Sequence, residues 1–367
     1  MHVRTSIKTL AVVGAAIAAV TGCGTQSSPS TSSTSPGAPA ATAVADTSQP
    51  ITIAYSDWPG WTCWDIAVKE GFFKKHGVNV QMKWFPNYTD SLNALAANQV
   101  DANCQTWSDT MGPLAQGPVQ TAVLINDNSA GNDAVVAKAG INSIKDLRGK
   151  TVATELGTVE QFLLDEALAA NGMTEKDIHY VNIKVQDCPN AMVSGKIDAC
   201  AVWEPNKSQL LDKMPGSHVI FDSKDPSMRG LIPDLLVFQA KEVPEKKVQI
   251  QGIVDAWYDT MAWWRAHPDE AVAIMAARTN SPVSFYKNFI KGTRIFDGPE
   301  AVGAFTKTDK KTSLYESGGP ICTFLLGQKQ IPSTPDYASA IDPEFVNAAV
   351  AKGEGKQGPY DYSFKVN

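Results

Sequence analysis

One pattern occurs twice. The stretch "DSLNALAANQVDANCQTW" (residues 90–107) has a partner in "DCPNAMVSGKIDACAVW" (residues 187–203), with Asp90, Asn93, Asp101 and Ala102 answering Asp187, Asn190, Asp198 and Ala199. Each closes a strand–helix–strand–helix–strand series. The first runs "ITIAY" (51–55), "DIAVKEGFFKKHG" (65–77), "VNVQMKWF" (78–85), the helix from Asp90 and "VDANCQTW". The second starts after "INSIKDLRGK" with "TVATE", then "TVEQFLLDEALAANG" (158–172), "IHYVNIKV" (178–185), a helix ending near Gly195 and "IDACAVW". Helical runs with apolar residues three and four apart, stopped by glycine, alternate with β-rich runs, the signature of an α/β domain with a mainly parallel sheet. Repeating the series predicts two similar α/β lobes.

The first 49 residues belong to neither lobe. Arg4 and Lys8 precede the apolar run "TLAVVGAAIAAV", too short for a good membrane span, and "VTGC" places Cys23 after a small-residue cleavage site. The expectation is a lipoprotein signal over residues 1–22, lipid on Cys23, and a Ser/Thr/Pro/Ala tether over 23–49. The mature chain is then exported and lipid-anchored at the outer face of the cytoplasmic membrane. A net charge of −6 with no basic stripe argues against nucleic acid.

Export permits disulfides, and Cys63–Cys104 and Cys188–Cys200 are the expected pairs, with Cys322 reduced. No Cys/His cluster suggests a metal, and no cofactor is expected.

Ligands of open parallel sheets bind beyond the carboxyl ends of the strands. Those ends place Asp57, Trp58, Trp61, Gln105, Trp107, Glu155, Thr158, Trp203 and Glu204 around one cleft. "SDWPGWTCWD" (56–65) concentrates three tryptophans and two aspartates there. Indole faces attract cations, and carboxylates suit guanidinium two oxygens at a time. Asp90 and Asp187 read as helix N-caps and Asp65 as a first-turn acid. Gly157 and Thr158, opening a helix, offer the contrary feature, a seat for an anion. Trp257, Trp263 and Trp264, on one helix, read as packing.

The pieces "KEGFFKKHGVNV", "DSLNALAANQVDA", "INSIKDLRGKTVA" and "VWEP", in this order, resemble the solute-binding proteins of ABC importers, nearest to the nitrate/sulfonate/taurine/thiamine-precursor type. The resemblance implies a two-lobed periplasmic-binding-protein-like fold of type II. Lobe I would comprise residues 50–138 and 232–367, including C-terminal helices, and lobe II residues 139–231. A monomer would close on a small molecule and deliver it to a permease and ATPase. "NYTDSLNALAANQVDAN" also resembles a branch associated with urea- or guanidine-carboxylating enzymes, which implies guanidine or a urea-like solute. The alternative is a sulfonate, taurine or nitrate. Thiamine-pyrimidine synthases share the fold, but their clustered cysteines are missing here, so an enzyme with catalytic residues is not expected.

Overall fold

The computed structural model describes residues 49–117 and 119–356; the signal, Cys23 and tether expectations lie outside them. Among the described residues, eleven strands form two sheets. The first sheet contains β1 (Ile51–Tyr55), β2 (Val80–Trp84), β3 (Ala102–Thr106), β4 (Gln120–Ser129), β10 (Pro233–Gln239) and β11 (Thr293–Ile295), in the order β11-β4-β10-β3-β1-β2. The second contains β5 (Ala134–Ala137), β6 (Thr151–Thr154), β7 (His179–Asn182), β8 (Ala199–Val202) and β9 (His218–Asp222), in the order β7-β6-β8-β5-β9.

The duplication is visible in the topology. In each sheet the first strand of the series pairs in parallel with the second and third, and an antiparallel strand then follows the third: β10 against β3, β5 against β8. Both sheets are therefore mixed rather than mainly parallel, because each takes in one strand that arrives from the other side. Burial follows position. The central β3, β8 and β10 are buried throughout, while the edge β2 alternates between half-buried and exposed residues. One boundary moves: β5, assigned to lobe I from the sequence, is a strand of the second sheet.

The chain crosses between sheets twice, from β4 to β5 and from β9 to β10. The crossings are tied together by short polar bonds. Ser129 Oγ meets Ser223 Oγ at 2.8 Å, Gly131 N donates to Ser223 Oγ at 2.6 Å, and Ser129 N donates to the Ile232 carbonyl at 3.0 Å.

The helix after β1 starts at Trp64 and ends at Glu70, because Gly71 takes φ 72°, a conformation glycine adopts without steric cost. Trp64, third of the clustered tryptophans, is core: it stacks on Phe73 at 5.6 Å and meets Trp257 at 4.8 Å. Trp257 belongs to the helix Lys247–Ala266, which packs on the helices Trp64–Glu70 and Phe72–Lys75. Trp257 and Trp264 are buried and Trp263 is half-buried against the same core.

Cys63, Cys104, Cys188, Cys200 and Cys322 are all free and buried, so neither expected disulfide is formed. Cys63 instead has Met275 Sδ at 3.4 Å, and Cys322 has Met111 Sδ at 3.7 Å. These thiols fill apolar space as small hydrophobes.

Candidate functional site

The loop after β1 turns tightly, with Trp61 N and Thr62 N both bonded to the Trp58 carbonyl. This turn points Trp58 and Trp61 into the space between the sheets. There they line a small, tightly closed cavity with Tyr88, Thr106, Asp133, Val159, Trp203 and Asp234. Four aromatic residues form its walls. Trp61 and Tyr88 lie 5.1 Å apart with rings tilted at 41°, and Tyr88 meets Trp203 edge-on at 5.7 Å. Trp203 comes from beyond β8, so both lobes contribute.

Two of the lining residues, Asp133 and Asp234, are acids, and Asp127 stands behind Trp58. Asp127 on β4 and Asp234 on β10 are directly paired in the antiparallel register, and both are buried. Cross-strand partners hold their side chains on one face, where two like charges destabilise. Burial pushes the Asp127 carboxyl up to about 8, against the pull of the Trp58 indole N–H, which donates at 3.1 Å. Burial, then the neighbouring Asp127, holds Asp234 well above the carboxylate range. Asp133, in the first crossing, is raised to about 6 by burial despite Ser129 and the charge of Lys207. Behind it, Glu160 is raised well above its ordinary value by burial and then by Asp133. Asp133 Oδ2, Asp234 Oδ2 and both oxygens of Glu160 are buried without a hydrogen-bond partner. Orphaned buried carboxylate oxygens are costly and call for donors.

Gly60 is required by this arrangement. A Cβ there would collide with Asp127 Oδ2 and come within 2.7 Å of Trp58 Nε1. Gly60→Ala is expected to displace the Trp58 indole and to cost about 1–3 kcal/mol of stability, as overpacking does. A thermal melt with the Trp58→Phe variant as reference checks it; an unshifted melt would contradict the close approach.

The residues expected from the sequence divide into two groups. Trp58, Trp61 and Trp203 line the cavity, and Thr158 sits beside the lining Val159. The carboxylates expected to face it are taken by protein donors. Asp57 accepts from Trp203 Nε1 at 3.0 Å, Asn206 Nδ2 at 2.7 Å and Gln186 Nε2 at 3.2 Å. It is a clasp joining the lobes. Glu155 accepts from the Thr89 hydroxyl and from Val185 N, and Glu204 from Ser208 N and Oγ, with Lys207 at 3.0 Å. Gln105 bonds Thr110 and Gln120, and Trp107 donates to the Leu314 carbonyl while packing edge-on against Tyr337, both away from the lining. Asp90 lies in the first turn of its helix, and Asp187 stands at an N-cap position; neither makes a side-chain capping bond.

The anion seat at Gly157 and Thr158 is largely spent. Gly157 N donates to Gln161 Oε1 at 2.8 Å, and the Val159 N–H donates to the carboxylate of Asp109, which arrives from the other lobe. Burial raises Asp109 to about 7, although Thr106, Tyr88 and Val159 all bond it.

Tyr88, Thr106, Asp133, Val159 and Asp234 are the lining residues that the sequence reading missed. Tyr88 opens the helix Tyr88–Ala96 that follows β2. Asp234 had a signal too: one acid in the otherwise apolar run "LIPDLLVF".

Two mixed sheets with a cleft between them and two crossing segments define a periplasmic-binding-protein fold. The chain belongs to the NMT1/THI5-like family, whose pattern matches residues 59–271. Its fold matches the periplasmic aliphatic sulphonate binding protein of Escherichia coli with a TM-score of 0.67 at 18% identity, covering 82% of this chain and 99% of that one. A Brucella abortus (strain 2308) chain named "Putative binding protein" is 25% identical over 240 residues, 64% of this chain and 72% of that one. The 4-amino-5-hydroxymethyl-2-methylpyrimidine phosphate synthase of Uromyces fabae is 26% identical over 136 residues, 36% of this chain and 39% of that one. The family is mainly one of binding proteins rather than enzymes.

Proposed function

We propose that the chain is the extracytoplasmic, lipid-anchored solute-binding component of an ABC importer, not an enzyme, and that its cargo is a small planar nitrogen-rich cation, guanidinium or a close relative. The orphaned oxygens of Asp133 and Asp234 at the floor of an aromatic cavity carry this reading. Indole and phenol faces attract any small cation. Orphaned carboxylate oxygens add a second demand, N–H donors in the same plane. Guanidinium meets both, and a quaternary ammonium, which has no N–H, meets only the first. Urea offers the same planar donors without the charge and should bind more weakly.

The sulfonate reading draws on the relatives and on the helix beginning at Val159. Against it stand the acids of the floor and the use of the Val159 N–H by Asp109. Titrating the purified residues 49–367 with guanidinium, urea, taurine and nitrate by calorimetry at pH 8 is the test. Guanidinium should bind most tightly and the anions should give no heat. Tight binding of taurine or nitrate, with none of guanidinium, would overturn the proposal.

A further inference from the structure

The acidic floor has a consequence for how a cation enters. Asp127 and Asp234 face each other from paired positions on β4 and β10, and the Trp58 indole N–H donates to Asp127. Cys63 and Cys104 face Asp127, Asp133 faces both aspartates, and Asp109 faces Asp234. Asp133 is in turn faced by Ser129, Lys207, Glu160 and Glu204. Lys207 is the cation of this set, and it is already engaged by Glu204 and the Gly131 carbonyl. Two buried carboxyls at such a position can be neighbours while at least one of them holds a proton, as paired carboxyl groups do.

We propose that the cavity exchanges a proton for its cation: the proton held between Asp127 and Asp234 leaves to solvent as the cation enters, and returns when it leaves. This rests on the cation reading above and adds to it. The balance is electroneutral, one positive charge in and one out, so the closed protein never carries the full charge of the ionised pair. A competing single-charge site without a stored proton would gain net charge on binding.

The raised carboxyls fix the sign. Asp133, Asp109 and Asp127, at about 6, 7 and 8, keep protons in the folded state that an unfolded chain releases near pH 4. The folded protein therefore binds more protons across that window, and its stability falls as pH rises from about 4 to about 8. Cation affinity runs the other way, rising by up to about tenfold per pH unit while the proton must be displaced.

Calorimetric titration of guanidinium into residues 49–367 at pH 7, in phosphate and in Tris, reads the exchange directly, because the two buffers take up a proton with different heats. The expected result is a buffer-dependent heat corresponding to at least one proton released per cation. Asp127→Asn should abolish that release, since its amide supplies the hydrogen to Asp234 permanently. Ligand-free thermal melts should also fall between pH 5 and pH 8 by more in the wild type than in Asp127→Asn. Guanidinium binding with the same heat in both buffers and a flat affinity from pH 6 to pH 8 would overturn the exchange while leaving the cation cage standing. No guanidinium binding at any pH would overturn both.

Discussion

Asp234→Asn is expected to weaken guanidinium binding by about a hundredfold to a thousandfold at pH 8 while leaving the protein folded. Removing one partner of a buried charge pair costs about 3–5 kcal/mol, and each 1.4 kcal/mol is about tenfold in affinity. Asn keeps the shape of the side chain and supplies a hydrogen to Asp127, so the crowded pair is relieved rather than broken. The ligand-free variant should therefore melt higher than wild type at pH 8, a loss of function accompanied by a gain of stability. Calorimetry for binding and a thermal melt for stability check the two halves. Unchanged affinity would remove Asp234 from the site; a lower melt with lost binding would make its role structural.

Trp203 is expected to show the second large effect, and in two parts. Its ring closes the cavity beside Tyr88, and its indole N–H donates to Asp57 in the other lobe. Trp203→Phe keeps a ring face and loses the donor, leaving Asp57 with Asn206 and Gln186. A lost hydrogen bond to a charged group is worth about 1.5–3 kcal/mol, so affinity should fall about tenfold to a hundredfold through weaker closure. Trp203→Ala loses the wall as well, adding about 0.5–2 kcal/mol from the cation contact and several kcal/mol of stability from the hole it leaves. Fluorescence or calorimetric titration of both variants separates the terms. Phe and Ala binding alike would show that the ring face contributes nothing.

The fold was readable because it depends on periodicity. Apolar spacing and glycine stops marked β1, β3, β6 and the helices between them, and the repeated Asp-Ala motif announced the second lobe. What periodicity could not carry was the sense of β10 and β5, since an antiparallel strand has the same alternation as a parallel one. The site was legible in its aromatic half. Trp58, Trp61 and Trp203 fall at strand ends, where topology alone puts them in the cleft. The acidic half was misplaced for a physical reason: acids at strand ends such as Asp57, Glu155 and Glu204 meet protein donors brought in by the fold. Asp127 and Asp234 sit on β4 and β10 and Asp133 on the crossing after β4, where partners are set by long-range pairing that no local pattern records. Nor do spacings tell free thiols from bridged ones; Cys188 and Cys200 remain buried thiols.

Asp109 gives the cleft a built-in decoy. Its carboxylate comes from one lobe and occupies a helix start in the other, the kind of place that suits an anion. Part of the attraction that holds the jaws shut is thus supplied by the chain itself, whether or not anything has been captured. Such a protein should visit its shut form while empty more often than a carrier whose jaws meet only through cargo. On the importer role proposed above, a transporter would then have to discriminate loaded from unloaded partners by something finer than shape, or spend nucleotide on empty deliveries.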